Sequence, residues 1–262
     1  EQARHCTGSA RILYRKRAEA SYGTEAPSKG NDNPKLKRRC QQILGALLWL
    51  VTRSRPDLGY AHSRAASYVE SDVHECYLRA VYMLRYLASY PNYGLKYTPL
   101  TDDAKLVVHG DCSFAPNGVA SHEGHCCYIG KSMVNWRSKR QTLVAMSSCE
   151  GELIAASQSL VMGRVLRLLF AELFGWSASD RDSFTIAVDN TAAIAQIQQG
   201  EHASWRSRHI SIGGTAISSA VAAGEVTVIY VPTEEMAADG LTKALVNQVL
   251  QRMRLLWHLT TV

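Results

Sequence analysis

Lys105-Leu106-Val107-Val108-His109-Gly110-Asp111 is a short apolar run that ends on a carboxylate, the pattern of a strand that delivers an acid to the rim of a sheet. Phe184-Thr185-Ile186-Ala187-Val188-Asp189 ends the same way, its Phe, Ile and Val alternating with smaller residues at the period of two that a strand requires. Between the two lies Ser147-Ser148-Cys149-Glu150-Gly151-Glu152-Leu153-Ile154, which opens a helical stretch reaching about Phe174. Ser147 followed three residues later by Glu150 is a capping box, so Glu150 has a structural task. Glu152 has no such partner in the sequence and sits beside the apolar positions Leu153 and Ala156, from which it can face the other acids. A fourth candidate, Asp239, follows the strand Glu225-Val226-Thr227-Val228-Ile229-Tyr230-Val231 and is expected in the first turns of the last helix.

Singly, each acid has an ordinary reading: Asp189 as a helix cap, Asp111 as a turn residue, Asp239 as an exposed acid beside Glu234 and Glu235. Jointly they say more. Clustered carboxylates repel one another and raise each other's pKa unless cations neutralise them, so four acids on one rim imply bound metal. Hard oxygen ligands favour Mg²⁺ or Mn²⁺.

His122-Glu123-Gly124-His125-Cys126-Cys127 has metal-ligand residue types, but it runs into Tyr128-Ile129-Gly130-Lys131 and Met133-Val134-Asn135-Trp136 as a hairpin. Alternate residues of a strand point to opposite faces, and no second ligand pair stands nearby, so a zinc site is not expected. Trp136, Arg137, Lys139 and Arg140 are candidates for a sugar-phosphate backbone, or form an exposed strand end with alternating charge. Arg208 and His209, with Arg206, make a second basic group of the same kind. Asn190 reads either as a contact to a ribose hydroxyl or as a cap of the following helix. Met146, Leu160, Val165, Leu168 and Leu169 are expected in the core.

Of 29 Lys and Arg and 23 Asp and Glu, residues 1–40 hold ten basic and four acidic residues, leaving nineteen of each elsewhere. The basic excess therefore lies in an N-terminal arm rich in Gly, Ser, Asn and Pro, which reads as mostly irregular and could track phosphates. Leu44, Leu47, Leu48 and Val51 repeat at helical spacing, Pro56 suits the first turn of a second helix, and Tyr77 to Leu87 supplies a third. The chain is 46% hydrophobic over 262 residues, enough for one good core and a smaller helical unit. No apolar run approaches the roughly 20 residues of a membrane span, and Glu1-Gln2-Ala3-Arg4 does not read as a signal peptide. Seven cysteines, odd in number and without a Cys-x-x-Cys pair, point to reduced thiols and an intracellular, cytoplasmic or nuclear, setting.

Residues from about Gln41 to Leu259 resemble the end of the Pol polyprotein of copia-type LTR retrotransposons. The resemblance rests on Leu44-Gly45-Ala46-Leu47-Leu48-Trp49-Leu50 with Arg55-Pro56-Asp57-Leu58, on Trp136-Arg137-Ser138-Lys139-Arg140-Gln141, and on Ser147-Ser148-Cys149-Glu150-Gly151-Glu152. It continues through Val188-Asp189-Asn190, Arg208-His209-Ile210, Tyr230-Val231-Pro232-Thr233-Glu234 and Ala238-Asp239-Gly240-Leu241-Thr242-Lys243. It departs where His109 replaces a usual aromatic and Cys112-Ser113 a small residue followed by Asp.

The resemblance implies an arm (1–40), a helical reverse-transcriptase thumb or connection remnant (41–100) and a ribonuclease H-like α/β domain (101–262). That domain would hold a five-stranded mixed sheet flanked by helices, with strands near 105–111, 123–130, 133–138, 183–189 and 225–231. It implies Asp111, Glu152, Asp189 and Asp239 as catalytic metal ligands for two Mg²⁺ ions about 4 Å apart, with Mn²⁺ as a substitute. Asp111 would bridge both ions, Glu152 and Asp189 would hold the one at the leaving group, and Asp239 the one that activates water. The implied substrate is the RNA strand of an RNA:DNA hybrid, the implied partner the rest of the polyprotein, and no membrane is involved. No polymerase activity is expected, because Asp102-Asp103 lacks the hairpin of a polymerase palm. The other reading is a catalytically inactive, nucleic-acid-binding or structural remnant. A transposase or integrase would carry its last acid as Glu, where this chain has Asp239.

Overall fold

The structure, a computed structural model, describes residues 33–101, 104–116, 118, 120–175, 183–199 and 208–261. The arm over 1–32, Asp102-Asp103 and the side chains of 208–212 lie outside the described residues.

Helix α1 (Pro34–Arg53) starts earlier than the sequence reading placed it. Asn33 caps it, its Oδ1 accepting from the Leu36 N–H at 3.0 Å, with Pro34 in the first turn. Residues 34–40, read as part of an irregular arm, are therefore helical. A 3₁₀ turn (Pro56–Leu58), α2 (Gly59–Ala66) and α3 (Val73–Ser89) complete the helical unit. Its core of Cys40, Leu44, Leu47, Val51, Leu58, Val73, Cys76, Ala80 and Met83 is separate from the others. Burying these apolar side chains contributes roughly 1.5–3 kcal/mol for each large one.

The main sheet has the order β4-β3-β2-β5-β6: β2 (Leu106–Ser113), β3 (His122–Ile129), β4 (Ser132–Arg140), β5 (Phe184–Val188) and β6 (Val226–Tyr230). The first three are antiparallel; β5 joins β2, and β6 joins β5, in parallel. This is the expected five-stranded mixed sheet with helices on both faces, and strand limits fall within two residues of those read from sequence. One face is covered by α4 (Ser148–Phe174) and by α6 (Arg208–Ala222), over Val108, Ile186, Val188, Leu153, Leu160 and Ile217. The other is covered by a 3₁₀ segment (Ala237–Leu241) and α7 (Asn247–Leu256), over Cys126, Tyr128, Ala187, Leu241 and Trp257. With both faces covered, every residue of β3 is buried.

Helix α4 runs as expected, capped by Ser147 and ended by Gly175 in the left-handed conformation (φ 61°). By length and composition α4 is apolar enough to cross a membrane, contrary to the sequence reading, and half of its most apolar window is buried inside the protein. Leu160 is buried, but Met146, Val165, Leu168 and Leu169 are exposed, which corrects the expected core. Only one stripe of α4 meets the sheet, and periodicity does not say which.

The helical unit is docked on the sheet domain. The Trp136 indole N–H donates to the Val51 carbonyl at 2.6 Å, and the Tyr60 ring meets His122 edge-on at 4.9 Å. Arg254 of α7 lies over the rings of Tyr90 and Tyr93, each at 4.7 Å. Strand β1 (Tyr93–Leu95) pairs with the terminal β7 (Leu259–Thr261), so pairing crosses the boundary expected at residue 100. Arg55 grips Asp57 through two bonds, at 2.9 and 2.8 Å, with both side chains buried.

Candidate metal centre

Parallel pairing sets the first two acids side by side. Val107 is in register with Thr185 and His109 with Ala187, so two residues further on Asp111, still within β2, and Asp189, just past the end of β5, come side by side. Glu152 reaches them from the first turns of α4. Asp111, Glu152 and Asp189 each offer one carboxylate oxygen, and these atoms lie within 4.8 Å of one another. Asp239 arrives from the opposite face, on the 3₁₀ segment and not on the last helix as expected, and is 3% exposed. Gly124, paired with Asp111, makes that approach possible: a Cβ there would stand 2.7 Å from the Leu241 Cβ and 2.8 Å from the Ala238 carbonyl oxygen. Three of the four acids named from sequence thus converge, and Asp239 stands on the opposite side with its backbone carbonyl tied through Thr242 to Asp111.

The surrounding bonds fix three of them. Thr242 Oγ1 donates to Asp111 Oδ2 at 2.6 Å, Thr233 Oγ1 to Asp189 Oδ2 at 3.0 Å, and the Cys112 N–H to Glu152 Oε1 at 3.3 Å. Glu152 Oε2 is buried and has no hydrogen-bond partner among the described residues. Asp239 Oδ1 forms an ion pair with the Lys243 ammonium. Burial, then the neighbouring Asp111 and Asp189 charges, pushes the Glu152 carboxyl up to about 9. Burial likewise raises Asp111 to about 6, against the Thr242 hydrogen bond, with Asp189 and Asp239 adding to the rise.

A crowded set of hard oxygens, those of Asp111 and Glu152 buried, that of Asp189 half-buried, and one Glu152 oxygen orphaned, is the donor set that a divalent Mg²⁺ or Mn²⁺ ion satisfies. An orphaned buried acceptor costs about 1–3 kcal/mol, and more when charged, so a cation there offsets both the missing bond and the repulsion.

Glu150 does the structural task assigned to it with a shifted partner. Its backbone N–H donates to Ser147 Oγ at 3.2 Å, and its Oε2 accepts from the Met146 N–H at 2.6 Å. His109 is half-buried against Tyr128, ring centroids 5.5 Å apart and edge-on, and loss of solvent around the ring lowers it to about 4. It is therefore a neutral ring at pH 7 and packs as the expected aromatic would.

The polar candidates divide. Asn190 Oδ1 accepts from the Ala193 N–H at 3.1 Å, capping α5 (Thr191–Gln199). Trp136 spends its N–H on Val51, and Lys139 is paired with the buried Glu123 at 2.8 Å. Arg137 and Arg140 are exposed on the edge strand β4. The side chains of Arg208 and His209 lie outside the described residues. The histidines of the 122–127 stretch have separate partners: His122 meets Ser138 Oγ at 2.9 Å and His125 meets Ser159 Oγ at 3.0 Å. Sequence reasoning gave no site role to Thr242 or Lys243; the i, i+4 spacing of Asp239 and Lys243 was the available signal.

No family model matches the chain. Among curated proteins, it is 29% identical over 211 residues to the retrovirus-related Pol polyproteins of transposons RE2 and RE1 from Arabidopsis thaliana, covering 80% of this chain. The chain is a homologue of copia-type Pol polyproteins. It spans 14% of the length of these two. It is also 33% identical over 118 residues to the secreted RxLR effector protein 161 of Plasmopara viticola, covering 44% of this chain and 82% of that one. Among solved structures, the N-terminal RNase H domain of a Mycobacterium tuberculosis protein matches 58% of this chain and 98% of its own at 12% identity, with a TM-score of 0.38.

Proposed function

We propose that this chain is the ribonuclease H part of a retrotransposon Pol polyprotein and hydrolyses the RNA strand of RNA:DNA hybrids. The observation that carries the reading is the meeting of Asp111, Glu152 and Asp189 oxygens within 4.8 Å, with Asp239 close by. When bound at these carboxylates, a pair of Mg²⁺ ions supplies an activated water and charge stabilisation at the leaving 3′ oxygen. Asp111, Glu152 and Asp189 would hold one ion, and Asp239, with Asp111, would hold the other. Thr242 and Thr233 fix the rotamers of Asp111 and Asp189 through their hydrogen bonds, and the Cys112 N–H fixes Glu152. Arg137 and Arg140, exposed on β4, place positive charge for the phosphodiester backbone. The 2′-hydroxyl distinguishes the RNA strand from DNA, so duplex DNA is a poor substrate.

The test separates a catalyst from a binding module. Asp111→Asn should abolish hybrid cleavage while hybrid binding, followed by fluorescence anisotropy, stays within a few-fold of the unsubstituted chain. Equal cleavage by the two proteins would overturn the assignment.

A further inference from the structure

Asp239 stands apart from the other three acids in what it touches. Its Oδ1 is engaged by the Lys243 ammonium, and it is absent from the group of oxygens that converge within 4.8 Å. The root of this lysine is fixed. The fully buried Thr242 hydroxyl donates to Asp111 Oδ2 at 2.6 Å and shares that proton with the Asp239 carbonyl at 3.0 Å, pinning the backbone directly beside Lys243. Its tip is not fixed in the same way, because the side chain is 47% exposed on a flexible four-carbon stem. From that root the ammonium also lies within the field of Asp111 and Asp189.

We infer that Lys243 is a built-in counter-cation that holds the Asp239 side of the centre and must swing off before a second divalent ion binds there. The inference rests on the metal reading given above. It makes loading stepwise: the first ion meets three carboxylates that, among the described residues, no ammonium pairs with, and the second competes with a tethered ammonium. Lys243 is a positioning residue in this scheme. It acts through Asp239, and its half-exposed stem gives it solvent to move into.

The experiment is a Mn²⁺ titration of the full chain without nucleic acid, followed by calorimetry and by Mn²⁺ electron paramagnetic resonance. Compared are the unsubstituted chain, Lys243→Met, Lys243→Arg, Asp239→Asn and the double variant Lys243→Met/Asp239→Asn. Two classes of Mn²⁺ are expected in the unsubstituted chain, the weaker one tightened roughly ten-fold or more in Lys243→Met, the scale of a lost charge-assisted bond. Lys243→Arg keeps the competitor and the weak class. Asp239→Asn loses the weak class, and adding Lys243→Met to it changes nothing further. If Lys243→Met leaves both classes unchanged, or tightens both equally as a loss of distant positive charge would, the inference is overturned while the metal reading stands. No saturable Mn²⁺ in the unsubstituted chain overturns the metal reading and the inference with it.

Discussion

Glu152→Gln should make the metal-free protein more stable at alkaline pH while removing its activity. The Glu152 carboxyl is raised from 4.5 to about 9, by burial first and by Asp111 and Asp189 next. Between those values the folded chain binds more protons than the unfolded chain, so stability is fully present below pH 4.5 and is lost as pH climbs towards 9. At pH 8 the interval is about 3.5 pH units, which at about 1.36 kcal/mol each sets a ceiling of about 5 kcal/mol. Relaxation and proton sharing with Asp111 reduce this to about 2–3 kcal/mol, or roughly 4–10 °C in a chain of this size. Gln keeps the shape and removes the charge. In EDTA, melting of Glu152→Gln should therefore exceed that of the unsubstituted chain by this amount at pH 8 and match it near pH 4.5. Saturating Mg²⁺ should reverse the order, because only the carboxylate holds the ion. Parallel melting profiles for the two proteins from pH 5 to 9 in EDTA would refute the burial and repulsion argument.

Glu150→Ala, which removes the acceptor of the Met146 N–H, should lower stability by about 1 kcal/mol, the usual size of a lost cap; hybrid cleavage should persist, and its loss would exchange the roles of Glu150 and Glu152. Gly124→Ala places a Cβ 2.7 Å from the Leu241 Cβ; overpacking of about 1–3 kcal/mol should appear in the melting curve together with weaker Mn²⁺ binding at Asp239, and an unchanged curve would mean that the 3₁₀ segment moves freely. Trp136→Phe, which orphans the Val51 carbonyl, should cost about 1 kcal/mol and leave hybrid affinity unaltered. A ten-fold fall in affinity at unchanged melting temperature would instead make Trp136 a nucleic-acid contact.

The sheet and its acids were legible because strand periodicity and a terminal carboxylate are local signals. Asp111 and Asp189 end their runs, and parallel register then brings them together with no further instruction from sequence. Glu152 was separable from Glu150 because capping chemistry spans three residues. What stayed hidden depends on packing partners. The exposure of Val165, Leu168 and Leu169 follows from which stripe of α4 the sheet covers, and a continuously apolar helix does not declare that stripe. Asn33-Pro34 is a cap followed by a first-turn proline, a local signal that a loop-rich, charged context obscured. The duty of Lys243 and Thr242 is tertiary, since Thr242 meets Asp111 across 131 residues of sequence. Trp136 beside Arg137 looks like a nucleic-acid contact until the docked helix supplies the carbonyl that its N–H donates to.

The most direct test of the central claim is a cleavage assay on the purified chain with a hybrid whose RNA strand carries a 5′ label, in Mg²⁺ and in EDTA, with the same sequence as duplex DNA alongside. The account predicts Mg²⁺-dependent cleavage of the RNA strand alone, leaving 3′-hydroxyl and 5′-phosphate ends. Cleavage that persists in EDTA, or that proceeds equally on duplex DNA, would contradict it.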